Sequence, residues 1–185
     1  MQVMLMVMSV ALGGMAPTVP MFVETLAPPK LGGGGHHALV KPDRRVRTSH
    51  PRVAAALFAG VSRSRTFAAL IDALDRSNVI AYVELVQELP RAARGRLILA
   101  TKIKEQRYVR IQLRFLLGHD EMISVLGHEL QHALEIAQAP EVTDNARMRK
   151  FYQRTGAGMS DGFGFDTAAA RIAGDQVRRE LKAAS

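Results

Sequence analysis

The sequence predicts an α+β domain, and three observations carry that reading. Apolar residues recur at three- and four-residue steps from Ile123 to Ala137, the period of one helix face. Residues Tyr108 to Phe115 alternate strictly, Val109, Ile111, Leu113 and Phe115 against Tyr108, Arg110, Gln112 and Arg114, which is a strand with one face on a core and one in water. Asn78–Leu85 is rich in β-branched and aromatic residues, and after it Arg96–Ile103 and Arg107–Phe115 read as a hairpin turning at Lys104-Glu105. An antiparallel-rich sheet of about three strands packed against helices is therefore expected. At 185 residues with a hydrophobic share of 48%, one domain with an ample core is expected.

Taken in order, residues 1–16 are almost wholly apolar from Val3 onward and then turn abruptly to Pro17. That run is too short to span a bilayer as a helix but matches the apolar core of a secretory signal, with cleavage sites at Ala11 and Gly13 or at Gly14 and Ala16. Export to the periplasm or the extracellular space is the expectation, with no transmembrane span in the mature chain. Met1-Gln2 supplies no Lys or Arg to the segment ahead of the run, and if the run is not a signal the chain is cytoplasmic. Residues 17–44 read as a flexible tether, with Pro28-Pro29, the Gly32–Gly35 run and Pro42; His36-His37 is read as solvated.

From Arg45 to Ser185 the chain reads as the folded domain. His50-Pro51 opens a helix with Pro51 in its first turn, where a missing N–H does no harm, and Val53, Leu57 and Val61 give it an apolar face. Ser64 caps a second helix carrying Phe67, Leu70, Ile71 and Leu74. Asn78–Leu85 reads as a strand, Pro90–Gly95 as an interruption, and the hairpin follows. The Ile123–Ala137 helix is expected to start with Asp120 as its N-cap and to stop at Pro140. Asp144 is expected to cap a short helix with Met148, Phe151 and Tyr152 inward and Gly156 as its stop, followed by a flexible loop over Thr155–Gly164. Asp166 or Thr167 then begins a last helix with Ala169, Ile172, Ala173, Val177 and Leu181 as its stripe.

Inside the Ile123–Ala137 helix, residues 128–132 spell His-Glu-Leu-Gln-His. On an α-helix residues i and i+4 share a face, so His128 and His132 can offer two imidazole nitrogens to one zinc ion. Glu129 lies one step round, placed to take a proton from the water that such an ion activates. The histidines fall opposite the Leu126, Leu130 and Leu134 stripe, where Val125 and Ile136 also fall, so the helix is expected to be buried on more than one side. Two histidines set into an apolar helix need partners, and a metal is the simplest one.

The motif resembles that of the zincins, the H-E-x-x-H metallopeptidases, and GHELQHALEIAQAPEV resembles a group of small uncharacterised bacterial zincin-like proteins from about Arg45 onward. The resemblance implies a small α+β fold, zinc on His128 and His132, Glu129 as base, and a peptide or protein substrate that it does not name. Zincin sheets also carry an edge strand able to pair with an extended peptide.

A catalytic zinc takes three protein ligands and leaves a position open. No histidine follows His132, so an acid is required, from Glu135, Glu141, Asp144, Asp161, Asp166, Asp175 and Glu180. Glu135 neighbours His132 on the same helix, an arrangement that seldom lets three ligands converge, and Asp175 and Glu180 are expected to face solvent. Asp166 is the first choice, at the head of the last helix and matching an acid in the FDTAAA segment of the small bacterial proteins; Glu141 and Asp161 stay open. A helix-start aspartate is also a common N-cap, and Tyr152 is either an oxyanion helper or core.

With no cysteine, neither a disulfide framework nor a cysteine-ligated zinc is available. The net charge of +8 favours acidic partners, yet the basic residues are dispersed, without a Lys/Arg block or interleaved aromatics, which reads as a solvated surface rather than a nucleic-acid site. A zinc-dependent hydrolase, most simply a metallopeptidase, is the leading expectation; the alternative is an exported envelope or interaction protein with a structural or vestigial zinc. Oligomeric state is not legible.

Overall fold

The hairpin predicted by alternation forms, but it hangs on a sheet whose other pairings are parallel. In the computed structural model residues 44–90, 93–155, 157–158 and 165–185 are described. The expected signal peptide and the tether through residue 43 lie outside them, as does most of the expected 155–164 loop, including Gly156. Strands β1 (Val46–Arg47), β2 (Val79–Val86), β3 (Gly95–Ile103) and β4 (Gln106–Arg114) form one sheet in the order β1-β2-β4-β3. β2 runs parallel to both β1 and β4, and only β3 and β4 pair antiparallel, turning at Lys104 with φ 53°. The sheet is thus mixed and four-stranded, not antiparallel-rich. Val79, Ile80 and Ala81 are buried in succession, the continuous apolar run of a strand covered on both faces, and β1 has too few residues to show any period.

Five helices join the sheet: α1 (Pro51–Arg63), α2 (Arg65–Asp75), α3 (His119–Gln138), α4 (Asn145–Thr155) and α5 (Ala168–Ala183). Their ends follow local chemistry. His50 Nδ1 accepts from the Arg52 amide at 3.2 Å, Ser64 Oγ from Phe67 at 3.0 Å, and Asp144 Oδ1 from Arg147 at 2.8 Å. α3 begins after Gly118, earlier than expected, so Asp120 is not its cap. The Asp120 carboxylate lies in the first turn and takes both Nη groups of Arg63, at 2.7 and 3.1 Å.

α3 is buried on two sides, packing on β2, β3 and β4 and on α1, α2 and α5. Met122, Ile123, Leu126, Leu130, Ala133 and Ile136 are inaccessible or nearly so, each large side chain contributing roughly 1.5–3 kcal/mol by burial. α5 turns Ala170, Ala173, Gly174, Val177 and Leu181 inward, whereas Ala169 and Ile172, expected inward, are exposed. Gly174 decides that face: a Cβ there would meet His128 Cβ at 3.2 Å and the Ser124 carbonyl at 3.3 Å. Among the described residues no helix is long and apolar enough to cross a membrane.

Arg107 ties the end of α3 to the sheet. Its side chain is buried, with Nη1 donating to the carbonyls of Ile136 at 2.5 Å and Ala139 at 2.7 Å, and Nη2 to the carbonyl of Ala137 at 2.9 Å and to Asn78 Oδ1 at 2.7 Å. Carbonyls that a helix end leaves unpaired are thereby satisfied.

Glu180 performs a similar service where α5 meets α2. Its carboxylate accepts from Ser64 Oγ at 2.6 Å, Thr66 N at 3.0 Å, Thr66 Oγ1 at 2.8 Å and Gln176 Nε2 at 2.9 Å. Burial opposes ionisation, but the hydrogen bonds from Ser64, Gln176 and Thr66 outweigh it and hold the carboxyl down at about 2. A carboxyl with a depressed folded-state pKa contributes stability that is present above its ordinary 4.5 and lost as pH falls toward 2. Glu180→Gln should therefore cost roughly 1–3 kcal/mol at neutral pH and flatten the decline of stability in that window, measured by urea unfolding at stepped pH. Identical pH slopes in the two proteins would contradict this role.

Candidate metal centre

His128 and His132 lie one turn apart on α3, with ring centroids 4.9 Å from each other. Asp166 reaches them from β6 (Phe165–Asp166), which pairs antiparallel with β5 (Ala157–Gly158) immediately before α5. Its Oδ1 lies 3.5 Å from His128 Nε2 and 3.9 Å from His132 Nε2. All three ligand atoms fall within 4.8 Å of one another. Ligands on a tetrahedral zinc at about 2.0–2.2 Å stand roughly 3.4 Å apart, so modest closure would seat an ion.

Asp166 also carries the observation that tests the fit. Its Oδ1 is buried without a hydrogen-bond partner, while Oδ2 meets Arg171 Nη1 at 3.4 Å. A buried carboxylate oxygen that makes no hydrogen bond and faces two imidazole nitrogens suits a cation between them. Nor is Asp166 the helix cap: Thr167 Oγ1 accepts the Ala170 amide at 3.1 Å, leaving the aspartate free of that duty.

Glu135, considered above as a ligand, instead holds His132. Its Oε2 lies 2.9 Å from His132 Nδ1, and its Oε1 accepts from Thr167 Oγ1 at 2.6 Å. A carboxylate on Nδ1 fixes the tautomer and directs the Nε2 lone pair toward Asp166. Burial opposes a charged His132, but the Glu135 hydrogen bond and the nearby Glu129, Glu135 and Asp166 charges raise its pKa overall. For His128, burial and the neighbouring His132 lower it. A zinc ion must displace protons from these rings, so its affinity falls on acidification.

Glu129 is 5% exposed, and burial pushes its carboxyl up to about 7, with His132 opposing and Asp166 adding. The carboxylate is admitted by Gly95 at the head of β3, where a Cβ would lie 2.8 Å from Glu129 Oε1 and 2.7 Å from Val125 Cγ1. In the sequence Gly95 showed only as the end of an interruption.

His128, Glu129, His132 and Asp166 line one cleft of about 970 Å³, walled by β3 from Gly95 to Ile98 and by parts of α4 and α5. Of the remaining candidates, Glu141 is exposed beside Arg154 at 3.6 Å, Asp144 caps α4, Asp175 lies on the cleft wall paired with Arg178 at 3.1 Å, and Glu180 binds Ser64 and Thr66. None joins the cluster, and Asp161 lies outside the described residues. Tyr152 is buried; its ring stands edge-on to His132 at 5.4 Å and its hydroxyl donates to the His132 carbonyl at 3.3 Å and also bonds Glu135, which suits a core tyrosine bracing the site.

No family model, no curated protein and no solved structure matches this chain.

Because Thr167 holds the cap, Asp166→Asn should unfold at the same urea concentration as the wild type while losing well over 100-fold in zinc affinity. Glu135→Gln, which keeps a hydrogen bond to His132 but not the charge, should lose only about 10–100-fold. Competition against a chromophoric chelator measures both. Full zinc affinity in Asp166→Asn would remove Asp166 from the ligand set.

Proposed function

We propose that this protein is a zinc-dependent hydrolase of zincin-like type, most simply a metallopeptidase. The observation that carries the reading is the buried Asp166 Oδ1, which makes no hydrogen bond and faces both imidazole Nε2 atoms in a cleft that also holds Glu129. His128, His132 and Asp166 would hold the ion and leave a fourth position open toward the cleft. When bound, zinc supplies Lewis acidity, which brings the pKa of a coordinated water from about 16 to roughly 7 and polarises a carbonyl.

The rest falls to the chain's own groups. Glu129, shielded from solvent in the same cleft, would accept a proton from the attacking water and return it to the leaving amine. Glu135 keeps His132 in the tautomer a ligand needs. β3 is an edge strand whose opposite side is paired with β4, and its unpaired main-chain groups border the cleft, where an extended peptide can align by strand addition. The apolar run at residues 3–16 supports export of this activity.

The alternative, a structural or vestigial zinc in an exported interaction protein, is separated by two substitutions. Glu129→Gln should bind zinc stoichiometrically, unfold like the wild type and lose at least about 100-fold in hydrolysis of a peptide library, the span of general-base catalysis. His128→Ala should lose zinc without losing the fold. A chain that takes up no stoichiometric zinc at neutral pH would sink the hydrolase reading, and unfolding of His128→Ala beside an unaffected Glu129→Gln would assign the metal to structure.

A further inference from the structure

The cleft is walled by cations from three separate segments. Arg94 precedes β3, Arg149 projects from α4, and Arg171 and Arg178 lie with Gly174 and Asp175 on one face of α5, at i, i+3, i+4 and i+7. A fifth lining arginine, Arg96 of β3, is engaged by Gln112 Oε1 at 2.6 Å. Two of the other four are held by pairs that water already reaches. Arg94 meets Glu121 at 3.1 Å with the side chains 60% and 42% exposed, and Arg178 meets Asp175 at 3.1 Å with 52% and 54% exposed. Exposed pairs of this kind are weak, so an incoming carboxylate can exchange for either partner. Arg149 is exposed and has neither an ion pair nor a hydrogen bond among the described residues. Only Arg171 is committed to the centre, through Asp166.

We infer that this cleft selects peptides bearing acidic side chains, recognised by Arg149, Arg178 and Arg94 around the bound backbone; that such a peptide is a substrate rests on the hydrolase reading. Arginine suits the task because its planar fork takes a carboxylate through two parallel hydrogen bonds. An extended peptide fits this cleft better than a nucleic acid does. The β3 edge offers main-chain donors and acceptors, and Leu97 and Met148 line the cleft beside the arginines. A single strand of nucleic acid needs exposed aromatic faces for its bases, yet among the described residues Tyr152 is the one Phe, Tyr or Trp on the lining, and it is buried against His132 and Phe151.

The test uses the full chain with zinc supplied, and Glu129→Gln so that peptides bind without turnover. Fluorescence anisotropy compares labelled peptides of one length carrying Glu, Gln or Lys at otherwise identical positions. The Glu series should bind about 10-fold or more tighter than the Gln series, and the Lys series weakest, with the advantage shrinking as salt rises from about 0.05 to 0.3 M. Adding Arg149→Glu and Arg178→Glu, both at exposed positions outside the metal centre, should erase the preference without changing the circular dichroism spectrum or zinc uptake. Equal affinity for the Glu and Gln series overturns the inference and leaves the hydrolase reading intact if the wild type cleaves either. A Glu preference in binding, with no peptide cleaved by the wild type, keeps the inference and removes the hydrolase reading. Displacement of the Glu peptides by a single-stranded oligonucleotide at lower concentration than by unlabelled peptide overturns it in favour of nucleic acid.

Discussion

Gly174 of α5 lies against His128 and the Ser124 carbonyl of α3, while Gly127 of α3 lies against Val177 of α5, where an added Cβ would stand 2.9 Å from Val177 Cγ2. The absence of side chains on both sides lets the two helices approach closely. Thr167 locks that approach, since its hydroxyl caps α5 and donates to Glu135 of α3. With α5 so fixed, the residue just before its cap, Asp166, has to stand over the imidazoles. Arg107 anchors the far end of α3 to β4, which restrains the helix beyond the turn that carries the two histidines.

The two acids nearest His132 are sorted by their surroundings. Glu129 has burial acting on it and its carboxyl rises to about 7. Burial also acts on Glu135, but hydrogen bonds from His132, Thr167 and Tyr152 outweigh it and hold that carboxyl below its usual range. One acid is thus suited to moving a proton and the other to staying ionised beside an imidazole, a division that sites with paired carboxylates use repeatedly. The site's chemistry then depends on Gly95, because a larger residue there would meet the Glu129 carboxylate.

What could be read from the sequence was what local rules govern. The faces of α2 and α3, the Ser64, Asp144 and Thr167 caps and the Lys104-Glu105 hairpin depend on a few neighbouring residues, and they form as those residues predict. The parallel pairings of β2 depend on where α1 and α2 return the chain, and β1 and β5–β6 are too short to carry a period. Two overlapping tracks were available on α5, and the choice was made by Gly174 against α3, not by hydrophobicity, which is why Ile172 faces outward. At the candidate site the histidine spacing was visible, and Asp166 was singled out among several acids; that Glu141 lies elsewhere, that Glu135 orients His132 and that Gly95 admits Glu129 are consequences of tertiary packing with no local trace.

The most direct measurement is a crystal structure of the zinc-soaked full chain with anomalous data collected across the zinc edge. The account predicts one dominant peak at about 2.0–2.2 Å from His128 Nε2, His132 Nε2 and Asp166 Oδ1, with the remaining coordination position open to the cleft. A dominant peak elsewhere, such as on His36-His37, or a zinc bound to the two histidines with Asp166 still turned to Arg171, would contradict it.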